Sequence, residues 1–124
     1  MTAAVRFTLH PDATVPHTLI MALSGELDYD NADVLCERIT ALLTGEYQRL
    51  VLDLSGLTFC DSTGIKVFLA LRTLIDERSG AIALTDLHPR LDKVFQMTGL
   101  GQLFAVYPAR ADALNLMRAQ PSAP

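Results

Sequence analysis

Hydrophobic and polar residues alternate over two short early stretches, then apolar residues recur every three or four positions, and the two rhythms trade places along the rest of the chain. Val5 to Leu9 reads as a first strand and His10-Pro11-Asp12-Ala13 as a turn. Thr18 to Ser24 alternates imperfectly and reads as a second strand, paired antiparallel with the first. Gly25-Glu26-Leu27-Asp28 ends it, and Asp30 or Asn31 is placed to cap a helix. Ala32, Leu35, Cys36, Ile39, Leu42 and Leu43 form a core-facing stripe that Gly45 stops. Leu50-Val51-Leu52-Asp53-Leu54 is almost continuously apolar, the pattern of a strand buried on both faces. Ser55-Gly56 punctuates it, and Leu57 to Cys60 reads as a brief crossing before Asp61-Ser62-Thr63-Gly64 opens the next helix.

At about 100° per residue, Val67, Phe68, Leu71, Leu74 and Ile75 of that helix face the sheet, and Lys66, Arg72, Thr73 and Asp76 face away. Ile65 and Leu69 fall among the polar residues beside the Ser62 turn, suited either to a partner contact or to cover by a neighbouring loop. Arg78-Ser79-Gly80 closes the helix, and Ala81 to Leu84 is a short strand. Pro89 opens another helix, with Leu91, Val94, Phe95 and Met97 inward and Gly99 as its stop. Leu103 to Tyr107 reads as a last strand and Ala111 to Met117 as a last helix. Strands alternating with helices predict an α/β fold with parallel pairing after the initial hairpin. The expected domain spans 1–118, with 119–124 (AQPSAP) as a frayed end.

At 124 residues, 50% apolar and 19% charged, the chain suits one domain with a substantial core. A net charge of −4 with ten scattered Lys and Arg argues against direct nucleic-acid binding. No apolar run is long enough to span a bilayer, and MTAAVRF lacks the apolar stretch of a signal peptide, so a cytoplasmic protein without a membrane partner is expected. Cys36 and Cys60 lack CxxC or histidine partners at metal spacing, so reduced thiols packed as small hydrophobes are expected, with no metal and no cofactor. The position of Cys60 beside the hydroxyls leaves a redox role open.

Enzyme readings fail on missing parts. Ser62 occupies a strand-loop-helix turn, superficially a nucleophile elbow, but its flanks are not G-x-S-x-G and His10, His17 and His88 are scattered. The Asp-Ser-Thr-Gly run carries one residue too many for an aspartic-protease motif and has no second copy. Asp53 resembles the phosphoaccepting aspartate of a receiver domain. That chemistry wants an acidic pair after the first strand, where His10-Pro11-Asp12-Ala13 offers one acid, and a late lysine, where Lys66 and Lys93 both fall in helices. Asp53 therefore reads as a carboxylate at a strand end that accepts hydrogen bonds from loop amides. What remains is a small hydroxyl at a helix N-terminus, where free amides and the helix dipole favour negative charge.

Several landmarks then fall in one order: Gly25-Glu26-Leu27-Asp28, the strand LVLDLSGL, Thr58-Phe59-Cys60-Asp61-Ser62-Thr63-Gly64, Val94-Phe95-Gln96-Met97-Thr98-Gly99-Leu100, Leu103-Phe104 and an Ala-Leu near the end. Over roughly Arg6 to Met117 this resembles the STAS domains, especially the bacterial anti-sigma factor antagonists of the SpoIIAA/RsbV type. The resemblance implies a SpoIIAA-like fold: a small mixed β-sheet with an N-terminal antiparallel hairpin and helices packed mainly on one face. It implies that Ser62 is the phosphoacceptor, framed by Asp61 and Gly64, with Thr63 a secondary acceptor. Asp28 is implied to lie beside the Ser62 loop and help meet the partner. Asp28, Asp61, Ser62, Thr63, Gly64, Ile65, Lys66 and Leu69 are the expected docking residues, Lys66 departing from a position often held by glycine.

The implied partners are an anti-sigma factor that is itself a serine/threonine kinase and a PP2C-type phosphatase, while dimer formation stays open. Unmodified, the chain would bind the anti-sigma factor and release a sigma factor; phosphate on Ser62 would end that binding. The alternative is a STAS scaffold module within a larger signalling complex that does not act on an anti-sigma factor. Neither reading makes the chain an enzyme.

Overall fold

A computed structural model of the chain describes residues 4–43 and 45–119. Five strands run β1 (Arg6–Pro11), β2 (Thr18–Leu27), β3 (Arg49–Cys60), β4 (Ala81–Thr85) and β5 (Ala105–Tyr107), and they lie side by side in that order. β1 and β2 are antiparallel, whereas β2, β3, β4 and β5 run parallel. The helices are α1 (Ala32–Leu42), α2 (Ser62–Glu77), α3 (Pro89–Thr98) and α4 (Arg110–Ala119), with a 3₁₀ turn at Leu100–Gln102. This is the mixed sheet with an antiparallel hairpin that the alternating pattern predicts. Because all four parallel strands end on the same side, the loops leading into α1, α2, α3 and α4 gather at one edge, where open α/β sheets place their sites.

The period-two alternation of the strands sorts side chains onto two faces. Leu19, Met21, Leu23, Leu50, Leu52 and Leu54 meet Leu35 and Ile39 of α1, Val67, Phe68, Leu71 and Ile75 of α2, and Leu91 and Phe95 of α3. Phe95 links two aromatic neighbours, its ring 6.1 Å from Phe68 edge-on and 6.1 Å from Phe104. On the opposite face Ile20, Val51 and Ala83 meet Ala113 and Met117 of α4. Three helices thus share one face and the last covers part of the other.

The structure corrects some element bounds. Leu57 to Cys60 is not a crossing: β3 continues through Gly56 to Cys60, and its pairing with β2 absorbs two register shifts instead. A Cβ on Gly56 would come within 2.7 Å of the Ser24 Cβ, so glycine there permits close strand approach rather than ending the strand. Leu103 lies outside the last strand, which spans only Ala105–Tyr107, because Gly99 in the left-handed region turns the chain into the 3₁₀ segment first. Met97 does not face inward and is 77% exposed. Of the expected frayed end, Ala119 closes α4 and 120–124 lie outside the described residues.

α4 buries only Ala113 and Met117, so polar ties carry much of its attachment. Arg110 Nε donates to Asp53 Oδ2 at 2.6 Å, and Arg118 Nη2 donates to Thr14 Oγ1 at 2.9 Å. Asp53 also accepts from the Ser55 amide, but both residues lie inside β3, so this is a strand amide and not the loop amide at a strand end that the sequence suggests. Burial opposes ionisation of Asp53, yet the Ser55 amide and hydroxyl together with Arg110 outweigh it and hold the carboxyl below its ordinary 3.8. Since the folded value is the lower one, this stabilisation is complete above the ordinary carboxylate range and is lost as pH falls through the lowered value. Arg110→Met is expected to cost about 1–3 kcal/mol near neutral pH, less than a fully buried pair would, because the guanidinium is 35% exposed. Denaturant titrations near pH 7 and near pH 3 check this: the difference between wild type and variant should shrink at the acid end.

Candidate functional site

The loop between β3 and α2 is built around the Asp61 carboxylate. Asp61 is extended at φ −90° and ψ −176° and caps α2, its Oδ1 accepting from the Gly64 amide at 2.8 Å. Its other oxygen reaches across to the β2–α1 turn and accepts from the Tyr29 amide at 3.0 Å. The Asp61 amide donates to the Leu27 carbonyl at 3.2 Å. One side chain therefore joins the start of α2 to the Asp28–Asn31 turn, which brings the two sequence landmarks together.

That turn is closed from within. Asn31 is the N-cap residue of α1, but its side chain makes no cap bond; it accepts from the Asp28 amide at 3.0 Å and donates to the Glu26 carbonyl at 2.8 Å. The Asp28 carboxylate accepts from the Asp30 amide at 3.0 Å and is only 7% exposed. Asp28 thus lies beside the Ser62 loop with its carboxylate turned into the turn, so it shapes the surface more than it presents charge.

With Asp61 as the cap, Ser62 falls at the first helical position and is exposed, and its hydroxyl makes no hydrogen bond among the described residues. The side chain is displayed rather than spent on helix capping. Thr63 is half-buried and lines a groove of about 190 Å³ between α1 and α2 with Asp33, Cys36, Lys66, Val67 and Ala70. Lys66 is exposed on that groove, one turn from Ser62. Ile65 and Leu69 are half-buried, and Leu69 packs partly against the core.

Gly64 is buried and tightly enclosed. A Cβ there would lie 2.8 Å from Cys60 Sγ, 2.8 Å from Leu27 Cγ and 2.9 Å from the Leu27 carbonyl oxygen. Glycine lets the helix start press against the end of β2, which is what allows Asp61 to span to Tyr29. Asp61→Ala is expected to remove both carboxylate bonds and lower stability by about 1–2 kcal/mol, the scale of a lost N-cap. Asp61→Asn, which keeps an acceptor, should recover much of it. Hydrogen exchange at the Gly64 and Tyr29 amides, faster in Asp61→Ala than in Asp61→Asn, checks that both bonds come from one side chain.

Cys36 and Cys60 are free, half-buried thiols packed against the core, rather than fully buried. Burial first, and the Asp61 charge second, push the Cys60 thiol up to about 12, which removes the thiolate that redox chemistry needs at neutral pH. His17 is engaged with the Glu46 carbonyl, and His88 accepts from the Arg90 amide at the start of α3. No histidine hydrogen-bonds Ser62 among the described residues.

Sequence reasoning passed over two aromatics. Tyr29 is 76% exposed in the turn that Asp61 holds, and Phe59 is 50% exposed two residues before Asp61. Periodicity treats both as loop or crossing residues. The available signal was an aromatic flanked by two aspartates in Asp28-Tyr29-Asp30, where burial is not the expected reason for it.

Residues 11–113 match the STAS domain. The anti-sigma F factor antagonist of Paenibacillus polymyxa is 33% identical over 98 residues, spanning 78% of this chain and 84% of that protein. Among solved structures, an anti-sigma factor antagonist from Mycobacterium paratuberculosis superposes with a TM-score of 0.81 at 26% identity, covering 95% of this chain and 99% of the other. The anti-sigma factor antagonist SpoIIAA in its unphosphorylated form gives 0.75 at 25% identity over 94% and 100% of the two chains. The phosphorylated form of the Bacillus SpoIIAA gives 0.67 at 26% identity over 93% and 100%. No helix among the described residues is long and apolar enough to cross a membrane. The landmark order, the strand order and the extent of these matches agree: the chain belongs to the STAS domain family.

Proposed function

We propose that this chain is an anti-sigma factor antagonist whose binding is switched by phosphorylation of Ser62. The carrying observation is the exposed Ser62 hydroxyl at the first position of α2, free because Asp61 does the capping. Unmodified, the chain docks an anti-sigma factor that is a serine/threonine kinase, through the α2 start, the Asp28–Asn31 turn and the Ile65/Leu69 flank, and a sigma factor is released. Phosphate on Ser62 ends the docking, and a PP2C-type phosphatase restores it. Thr63, half-buried in the α1–α2 groove, is the less accessible hydroxyl. The chain supplies no chemistry of its own and is a substrate and a ligand. Support comes from the geometry of the α2 start and from the relatives, three of which are named for antagonism of anti-sigma factors.

Incubation with candidate anti-sigma kinases and ATP, followed by peptide mapping, tests the reading. One phosphoryl group on Ser62, absent without kinase, is expected. Ser62→Ala that still gains phosphate at the wild-type rate contradicts it.

A further inference from the structure

A second feature lies on the α3 side of the Ser62 loop. Thr58, Phe59 and Cys60 at the end of β3 and Arg90, Leu91 and Val94 of α3 enclose a cavity of about 130 Å³. Its wall is continuous with the phosphorylation loop, since Cys60 is followed directly by Asp61 and Ser62. Phe59, which lines it, is 50% exposed, and a β2–β3 register shift separates it from the fully buried Leu57. The cavity lies well below the roughly 300–1,000 Å³ of small-molecule sites, so it suits a single side chain.

Arg90 supplies the second half of the argument. It is exposed and its side chain has no ion-pair partner among the described residues. It sits in the first turn of α3, where the helix dipole disfavours a cation. Helix stability therefore gives no reason for arginine there, whereas recognition of a carboxylate does. An apolar pocket with a cation at its rim, touching the loop that a kinase must reach, is complementary to an apolar side chain next to an acidic one.

We infer that the Phe59–Arg90 pocket is an anchoring subsite for the anti-sigma kinase, receiving one apolar side chain of that partner while Arg90 pairs with an adjacent carboxylate. The inference rests on the reading of Ser62 given above and adds to it a determinant of partner selection separate from the phosphorylated hydroxyl.

The test uses the full chain and the kinase that phosphorylates Ser62 in the mapping experiment. Phe59→Ala and Arg90→Glu should each weaken binding at least about tenfold, as truncation of a central anchor does. They should raise KM for phosphorylation of Ser62 by a similar factor and leave kcat and the melting temperature near wild type. Arg6→Glu on β1 changes net charge equally and should leave KM unchanged. Wild-type affinity and KM in both pocket variants overturn the inference while leaving Ser62 as acceptor. An equal loss in Arg6→Glu also overturns it, by showing a bulk charge effect. Absence of any kinase acting on wild-type Ser62 removes the underlying reading, and this one with it.

Discussion

Ser62→Asp is expected to bind the anti-sigma kinase more weakly than the unmodified chain, and phosphorylated Ser62 more weakly still, while Ser62→Ala binds at full strength with or without ATP. The structural cost within the domain is small. Ser62 is exposed at the first position of α2, where negative charge is favoured by the helix dipole, and Asp61 keeps the cap whatever stands at 62. The melting temperature should therefore hardly move in either variant. The effect falls on docking. Phosphate adds about −1.5 to −2 charge and three acceptor oxygens at the centre of the proposed contact. One like-charge pair at about 5 Å with an effective dielectric of about 20 costs roughly 3 kcal/mol before screening. With about half of that screened by salt, roughly a tenfold loss of affinity is expected, since a factor of ten needs about 1.4 kcal/mol. Calorimetric titration of the four forms into one kinase measures it; equal affinities for Ser62→Ala and Ser62→Asp contradict the charge switch.

Gly64→Ala is expected to be the most damaging small substitution at the site. The added methyl meets Cys60 Sγ, Leu27 Cγ and the Leu27 carbonyl oxygen, all inside 3.0 Å, and the carbonyl belongs to β2 and cannot swing aside. Overpacking of this kind costs about 1–3 kcal/mol, or roughly 5–15 °C in melting temperature for a domain of this size. The strain can be relieved only by moving the α2 start away from β2, which lengthens the Asp61 bond to Tyr29 and shifts Ser62. Gly64→Ala should thus impair phosphorylation as well as stability, whereas Gly45→Ala, whose Cβ would meet nothing within 4 Å, should do neither. Thermal unfolding with parallel kinase assays separates the two; a fully stable Gly64→Ala would show that the close packing is not required.

Much of the scaffold was legible because its signals are local and periodic. Val67, Phe68, Leu71 and Ile75 fall on one face by spacing alone, and all four are buried. Pro89 and Gly99 mark the ends of α3 through φ preferences that need no tertiary context. Asp53 accepts from the Ser55 amide within β3 rather than from a loop at a strand end, and its second partner, Arg110, lies 57 positions away where no local pattern could nominate it. The same limit hid the site's construction. Asp-Ser-Thr-Gly does not by itself show that Asp61 is the cap, and the second bond of its carboxylate, from the Tyr29 amide, is one that only the fold brings within reach. Gly56 looked like a strand end because glycine usually punctuates; close approach of β2 gives it the opposite role here. Phe59 and Tyr29 escaped notice because periodicity predicts what is buried, and these two are distinguished by being exposed.

The central claim is that a hydroxyl displayed at the start of α2 governs docking through the charge it acquires. The most direct measurement compares the affinity of one anti-sigma kinase for the unmodified chain and for the same chain stoichiometrically phosphorylated on Ser62, at two salt concentrations. Phosphorylation is predicted to weaken binding at least about tenfold, with the difference narrowing as salt rises. Equal affinity of the two forms at low salt would contradict it.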